Sequence, residues 1–234
     1  MGRNRRKIKS DALAPEASRH HVDRVFHVWG RAIDDMHTFP TTRSKASFLH
    51  LFERYLSPQE FKDPDGRPYR KLSEMIELVG FAVLDNHYHL LLRQKLEAGV
   101  ITLMRSVLPT YGRYFNDTHG RRAQIFESPY SVRPIEDEAD LRHMVGYVHG
   151  QHESLGLEYE HTSHRLYLGE AECDWLQIEP GLAAFGSRDS YATEIEAEVR
   201  EILSAKVARR AETPLPPSRP LTRGRGDHIA RRRP

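Results

Sequence analysis

A single cysteine, Cys173, stands in 234 residues. One thiol excludes an intrachain disulfide and any zinc site built from several cysteines, and it suits a reducing compartment. Long apolar runs are missing as well: no stretch approaches the roughly 18 consecutive apolar residues of a membrane span. The opening Met1-Gly2-Arg3-Asn4-Arg5-Arg6-Lys7-Ile8-Lys9 leads into no apolar segment, so it is not read as a secretory signal. Net charge is scarce too, at +2 from 35 basic and 33 acidic residues. The expectation is a cytoplasmic chain, away from membranes.

That small total hides an asymmetry. Residues 1–10 carry five cations and no acid, and residues 213–234 carry six arginines against Asp227, which leaves the intervening body at −8. Basic arms of this kind bind nucleic acid by neutralising phosphates, or serve as solubilising tails. Within the body, the cations that stand out as phosphate contacts are Arg31, Arg93, Arg105, Arg121, Arg122 and Arg133.

Periodicity places a strand over His27–Ile33 and then a helix with Phe48, Leu49, Phe52, Tyr55 and Leu56 on one face. Ile76–Leu84 and Tyr88–Arg93, joined through Asp85-Asn86, read as a central antiparallel pair. A second helix carries Ile101, Met104, Leu108, Tyr111 and Phe115, with Pro109 expected to kink or break it. A strand follows within Ile125–Ile135. Asp137 is then the N-cap of a third helix with Leu141, Met144, Val145 and Val148 inward. This order predicts an α+β domain: a ferredoxin-like antiparallel sheet with helices on one face, a C-terminal helical extension and basic disordered tails. The divisions are 1–20 (basic arm), 21–169 (main domain), 170–212 (helical extension, with Ile195, Val199 and Ile202 at helical spacing) and 213–234 (basic tail).

The chemistry concentrates in two places. On a strand His87 and His89 share one face and Tyr88 the other, so two imidazoles stand side by side, as chelation of a divalent cation requires. A surface pair has the same spacing. On the third helix Tyr147 and Gln151 are four apart and share the stripe bordering the apolar face; a core-edge aromatic and a solvated amide fit that pattern equally.

Taken in order, Leu84-Asp85-Asn86-His87-Tyr88-His89-Leu90-Leu91-Leu92, Tyr111-Gly112-Arg113-Tyr114-Phe115-Asn116, Phe126 and Tyr147-Val148-His149-Gly150-Gln151 resemble the HUH superfamily of single-tyrosine transposases, in particular the REP-associated tyrosine transposases. The resemblance spans roughly residues 22–169. It implies that His87, His89 and Gln151 hold a divalent metal, Mg²⁺ or Mn²⁺. It also implies that Tyr147 attacks a phosphate of single-stranded or hairpin DNA, giving a 5′-phosphotyrosine and a free 3′-hydroxyl, in a monomer or homodimer. The sequence departs from the family pattern where Leu84-Asp85 replaces the common Met-Pro, where Gln151-His152 stands in place of Asn-Pro, and where Ala123 replaces a frequent glycine. Tyr130 is a second candidate nucleophile. Two other functions fit: a DNA-binding protein on the same fold that does not cleave, and a zinc hydrolase using His87, His89 and His149 or His152.

Overall fold

The computed structural model describes residues 13–127, 130–150 and 161–197, the backbone of 151–153, and residues 200 and 204. Both basic arms, apart from residues 13–20, and positions Val199 and Ile202 lie outside the described residues. Four strands form the sheet: β1 (Arg24–Arg31), β2 (Ile76–Val83), β3 (His87–Gln94) and β4 (Ser131–Pro134). Their order is β2-β3-β1-β4 and every pairing is antiparallel, the ferredoxin-like arrangement within an α+β fold. The long helices are α1 (Thr42–Leu56), α2 (Gly99–Thr118) and α3 (Glu138–Glu153); α4 (His164–Leu168), α5 (Glu179–Ala183) and a further helix, α6, over 188–197 follow. No helix among the described residues is long and apolar enough to cross a membrane.

Helices cover both faces of the sheet, which corrects the expectation of one covered face. Phe26, Val28, Tyr88, Leu90 and Leu92 point to one side, where α1 and α2 bring Phe48, Phe52, Met104, Val107 and Tyr111. Leu91, Val79 and Ala82 point to the other, against Met144, Val145 and Val148 of α3 and Tyr167, Phe185 and Tyr191 of the C-terminal segment. β2 and β3 are buried along both faces, and such strands read as continuous apolar runs that do not say how many layers cover them. A bulge in β2 between Leu78 and Gly80 places Val79 outside the register.

Pro109 lies inside α2 and does not break it. Pro109 and Arg105 are both exposed, so the turn that lacks the Pro109 N–H is on the solvent side of the helix. The last strand is shorter than expected. Residues 125–127 instead bond to the end of β1 and beyond it, with Glu127 N–H donating to Arg31 O and Ile33 N–H to Ile125 O. Residues 13–20, grouped by sequence with the basic arm, lie against the sheet: Leu13 exchanges backbone hydrogen bonds with Val132, and Gln94 Nε2 donates to Ser18 O at 2.7 Å.

α3, which carries Tyr147, starts as the sequence expects. Asp137 accepts from the backbone N–H of Asp140 at 2.8 Å. Asp140 then binds Arg133 of β4 through two guanidinium bonds, 2.8 and 2.6 Å, and accepts from Glu136 N–H. Burial alone would raise the Asp140 carboxyl; the Arg133 and Glu136 bonds outweigh it and hold it below the ordinary carboxylate value. Asp140→Asn is therefore expected to cost about 1–3 kcal/mol at pH 7. The folded pKa lies below the unfolded one, so the contribution is present above about pH 3.8 and is lost as pH falls through the folded value. Denaturant titrations of both proteins at pH 7 and pH 3 check this: the gap should narrow at pH 3.

Candidate active site

His87 and His89 open β3 and point to the α3 face, as strand alternation requires. The turn before them is tied down from several elements. Lys45 of α1 pairs with Asp85 at 2.7 Å, Phe39 N–H donates to Asp85 O, and Ala32 N–H donates to Asn86 O. Each imidazole is oriented through its Nδ1. That of His87 lies 2.6 Å from Asn86 Oδ1, and Asn86 Nδ2 in turn donates to Asp35, which also pairs with Arg31. That of His89 lies 2.9 Å from Nε2 of His27.

His27 went unremarked as a functional residue in the sequence. It is fully buried on β1, stacked on Trp29 with ring centroids 4.6 Å apart and on His89 at 5.1 Å. Burial, reinforced by the nearby Arg133 charge and opposed by Asp140, pushes its pKa down to about 3. It therefore stays neutral at ordinary pH, with one N–H and one lone pair. The only signal in the sequence was its alternation with Trp29 on a strand, which any half-buried histidine shares.

Tyr147 meets this group from α3. Its ring stands edge-on to His89 with centroids 5.4 Å apart, and edge-on to His27 at 6.0 Å. Tyr147, far from the His87–His89 pair in sequence, thus converges with it, with Arg31 directly across from His87 in the β1–β3 register. Gln151 continues α3 by one further turn; its side chain lies outside the described residues. Tyr130 is on the opposite side of the sheet, packed with the α1–α2 core and 5% exposed.

The six arginines do not assemble into one patch. Arg31 is beside His87. Arg93, at the far end of β3, pairs with Glu77 and Asp23, and Arg105 on α2 pairs with Glu16. Arg121 and Arg122 are exposed after α2, with Arg121 against Met36 Sδ. Arg133, expected to meet phosphate, is instead committed to Asp140 and only 11% exposed.

A second polar cluster lies two residues beyond Tyr147. His149 Nε2 is 2.7 Å from Ser163 Oγ, and its Nδ1 is 2.7 Å from the Tyr191 hydroxyl, which also bonds His164 Nδ1. Ser163 receives Phe81 N–H at 2.9 Å and is 0% exposed. A serine with no surface cannot meet a substrate, so this serine–histidine pair is architectural: it fastens α3 and α6 to β2. Among the described residues no group of three His, Cys, Asp or Glu is placed to hold a metal, and His149 belongs to this cluster and not to the His87–His89 pair.

A scan against family models and a search of curated proteins give no match. Among solved structures, a REP-associated tyrosine transposase bound to a REP hairpin is similar, with 15% identity and a TM-score of 0.44 over 68% of this chain and 88% of that one.

The Tyr191 hydroxyl serves two buried rings, so Tyr191→Phe is expected to destabilise the fold by about 1–3 kcal/mol, the cost of stranding a buried polar group. Equilibrium unfolding in urea measures it. An unchanged midpoint would contradict the role given to this hydroxyl.

Proposed function

We propose that the chain cleaves and rejoins single-stranded DNA at hairpin-bearing sites, with Tyr147 as nucleophile and His87 and His89 as ligands of a divalent metal. The observation that carries this reading is the convergence of His87, His89 and the Tyr147 ring on one face of the sheet. The order of motifs that resembles single-tyrosine transposases supports the same assignment.

The histidines fit a metal by the way they are held. A ligating imidazole commonly has its other nitrogen bonded to a carboxylate, carbonyl or water, which fixes tautomer and direction. Here Asn86 Oδ1 accepts from His87 Nδ1–H, backed by Asp35, and His27 meets His89 Nδ1. Each ring would thus ligate through Nε2, and Gln151 would supply the third donor from α3. Two imidazoles and an amide would hold a hard ion such as Mg²⁺ or Mn²⁺ only weakly and would leave room for water and phosphate oxygens. Such an ion supplies Lewis-acid polarisation of the scissile phosphate.

The protein's part is then nucleophilic. The Tyr147 oxygen attacks phosphorus and gives up its proton; the P–O3′ bond breaks and the departing 3′ oxygen takes one up. The tyrosyl phosphodiester retains the bond energy, so a second 3′-hydroxyl can reverse the step and join strands. Arg31, opposite His87 and paired with Asp35, would meet a phosphate oxygen in this reading. Of the two third ligands that the zinc-hydrolase reading offers, His149 is engaged with Ser163 and Tyr191, and the side chain of His152 lies outside the described residues.

Incubation with a labelled DNA hairpin bearing single-stranded flanks, with Mn²⁺, tests the reading. Wild type and Tyr130→Phe should form a covalent adduct stable to denaturation. Tyr147→Phe should form none while binding the same DNA, and His87→Ala should lose at least about a hundredfold in rate. An adduct in Tyr147→Phe, or none in wild type, would overturn the assignment; the latter result leaves a DNA-binding protein that does not cleave. Independently of catalysis, His27→Leu should weaken Mn²⁺ binding by about 10–100-fold in a calorimetric titration, because His89 loses the partner that orients it.

A further inference from the structure

Arg31 ends β1 across from His87, and its guanidinium is already engaged. Nη1 of Arg31 donates to Asp35 Oδ1 at 2.5 Å, and the same oxygen accepts from Asn86 Nδ2 at 3.2 Å. Asn86 Oδ1 in turn lies 2.6 Å from His87 Nδ1. These contacts draw Arg31 toward the Nδ1 side of His87. The Nε2 side is the one left for a metal and for a phosphate bound to it, so that phosphate competes with Asp35 for one guanidinium.

The molecule contains a second arginine–aspartate pair that shows what a committed contact looks like. Arg133 and Asp140 share two bonds, 2.8 and 2.6 Å, with side chains 11% and 20% exposed. Arg31 and Asp35 share one, with side chains 37% and 69% exposed. An exposed single-bonded pair is screened by water and weak, whereas a phosphodiester offers a guanidinium two parallel bonds. The backbone favours release as well. Ala32 N–H is fixed on Asn86 O and Ile33 N–H on Ile125 O, and Asp34 and Asp35 then both take left-handed backbone, each with φ 52°. Residues other than glycine adopt that conformation singly and at a cost, so a turn with two in succession relaxes once its side-chain anchor is freed.

We propose that Asp35 is an intramolecular competitor of the substrate phosphate: it holds Arg31 in the free protein and yields it when a phosphodiester of the DNA arrives. That the arriving anion is a DNA phosphate rests on the function proposed above; the contact it must break does not. The exchange is ionic and changes no covalent bond. Arg31 keeps its charge, and the Asp35 carboxylate turns to solvent. The opposite role, a carboxylate that supports Arg31 in its grip on phosphate, predicts the opposite sign when Asp35 is replaced.

The test is a titration of a labelled DNA hairpin bearing single-stranded flanks with the full chain, read by fluorescence anisotropy. A chelator removes divalent metal, so neither metal affinity nor adduct formation enters. Asp35→Asn removes the charge and tolerates left-handed backbone; Asp35→Gly removes the side chain and accepts φ 52° without strain. Asp34→Asn is the control: it deletes the same charge one residue away, from an exposed aspartate with no ion pair among the described residues. Melting curves verify that the variants are folded. Both Asp35 variants should bind about two- to fivefold more tightly than wild type, the range for release of an exposed ion pair, and beyond any gain from Asp34→Asn. In an Arg31→Gln background the Asp35→Asn gain should shrink to that of Asp34→Asn. Equal gains from Asp34→Asn and Asp35→Asn, weaker binding by the Asp35 variants, or an excess gain that survives Arg31→Gln would overturn the inference. The expected pattern in a chain that forms no tyrosyl adduct with Mn²⁺ refutes the role of Tyr147 and leaves the competition standing. An adduct without an Asp35 effect refutes the competition alone, and no DNA binding by any of these proteins overturns both.

Discussion

The pleat of β3 at Tyr88 is the constraint on which the site depends. Tyr88 is fully buried beneath α1 and α2, against Phe48 at 5.1 Å and Phe126 at 5.7 Å. It also lies so close to β1 that a Cβ on Gly30 would stand 2.5 Å from its hydroxyl, so only glycine fits there. With Tyr88 fixed, His87 and His89 must point the other way. A slip of one residue would drive both imidazoles into an apolar core and expose a tyrosine, at a cost no local rearrangement could offset.

The two faces of the sheet consequently have different chemistry. One is closed by aromatic and aliphatic packing. The other is held by polar links that also set side-chain directions: Asp35 through Asn86 to His87, His27 to His89, Arg133 to Asp140, and His149 to Ser163 and Tyr191. α3 is fastened near both ends by the last two, with Tyr147 between them. The nucleophilic role proposed for Tyr147 would require such support, since errors near 1 Å already cost orders of magnitude in rate. The neutral state of His27 adds no charge to the pair that it orients.

The acidic character of the body is visible in how its cations are spent. Arg31, Arg93, Arg105 and Arg133 each meet a carboxylate, and Lys45 is bound to Asp85. Cations held in this way contribute direction more than long-range attraction, because the paired acid cancels most of the field beyond a Debye length. Arg113 and Arg122, outside such pairs among the described residues, are both exposed and both follow the middle of α2.

Much of the fold was legible because its signals are local. The central strand pair, the three long helices, the Asp137 cap and the opposite facing of Tyr88 and the two histidines follow from side-chain period and capping chemistry within a few residues. That α2 continues through Pro109 was not legible for the same reason: a proline on the exposed side of a helix leaves its turn open to solvent, and local sequence does not say which side that is. The division of helices between both faces, the partnership of His27 with His89 across 62 positions, and the link of Tyr191 to His149 across 42 were decided only by the tertiary structure. Each of these joins residues whose separation in sequence carries no periodic signature. A histidine on a half-buried strand looks the same whether it packs, binds or orients, and only the neighbours brought to it by the folded sheet distinguish the three.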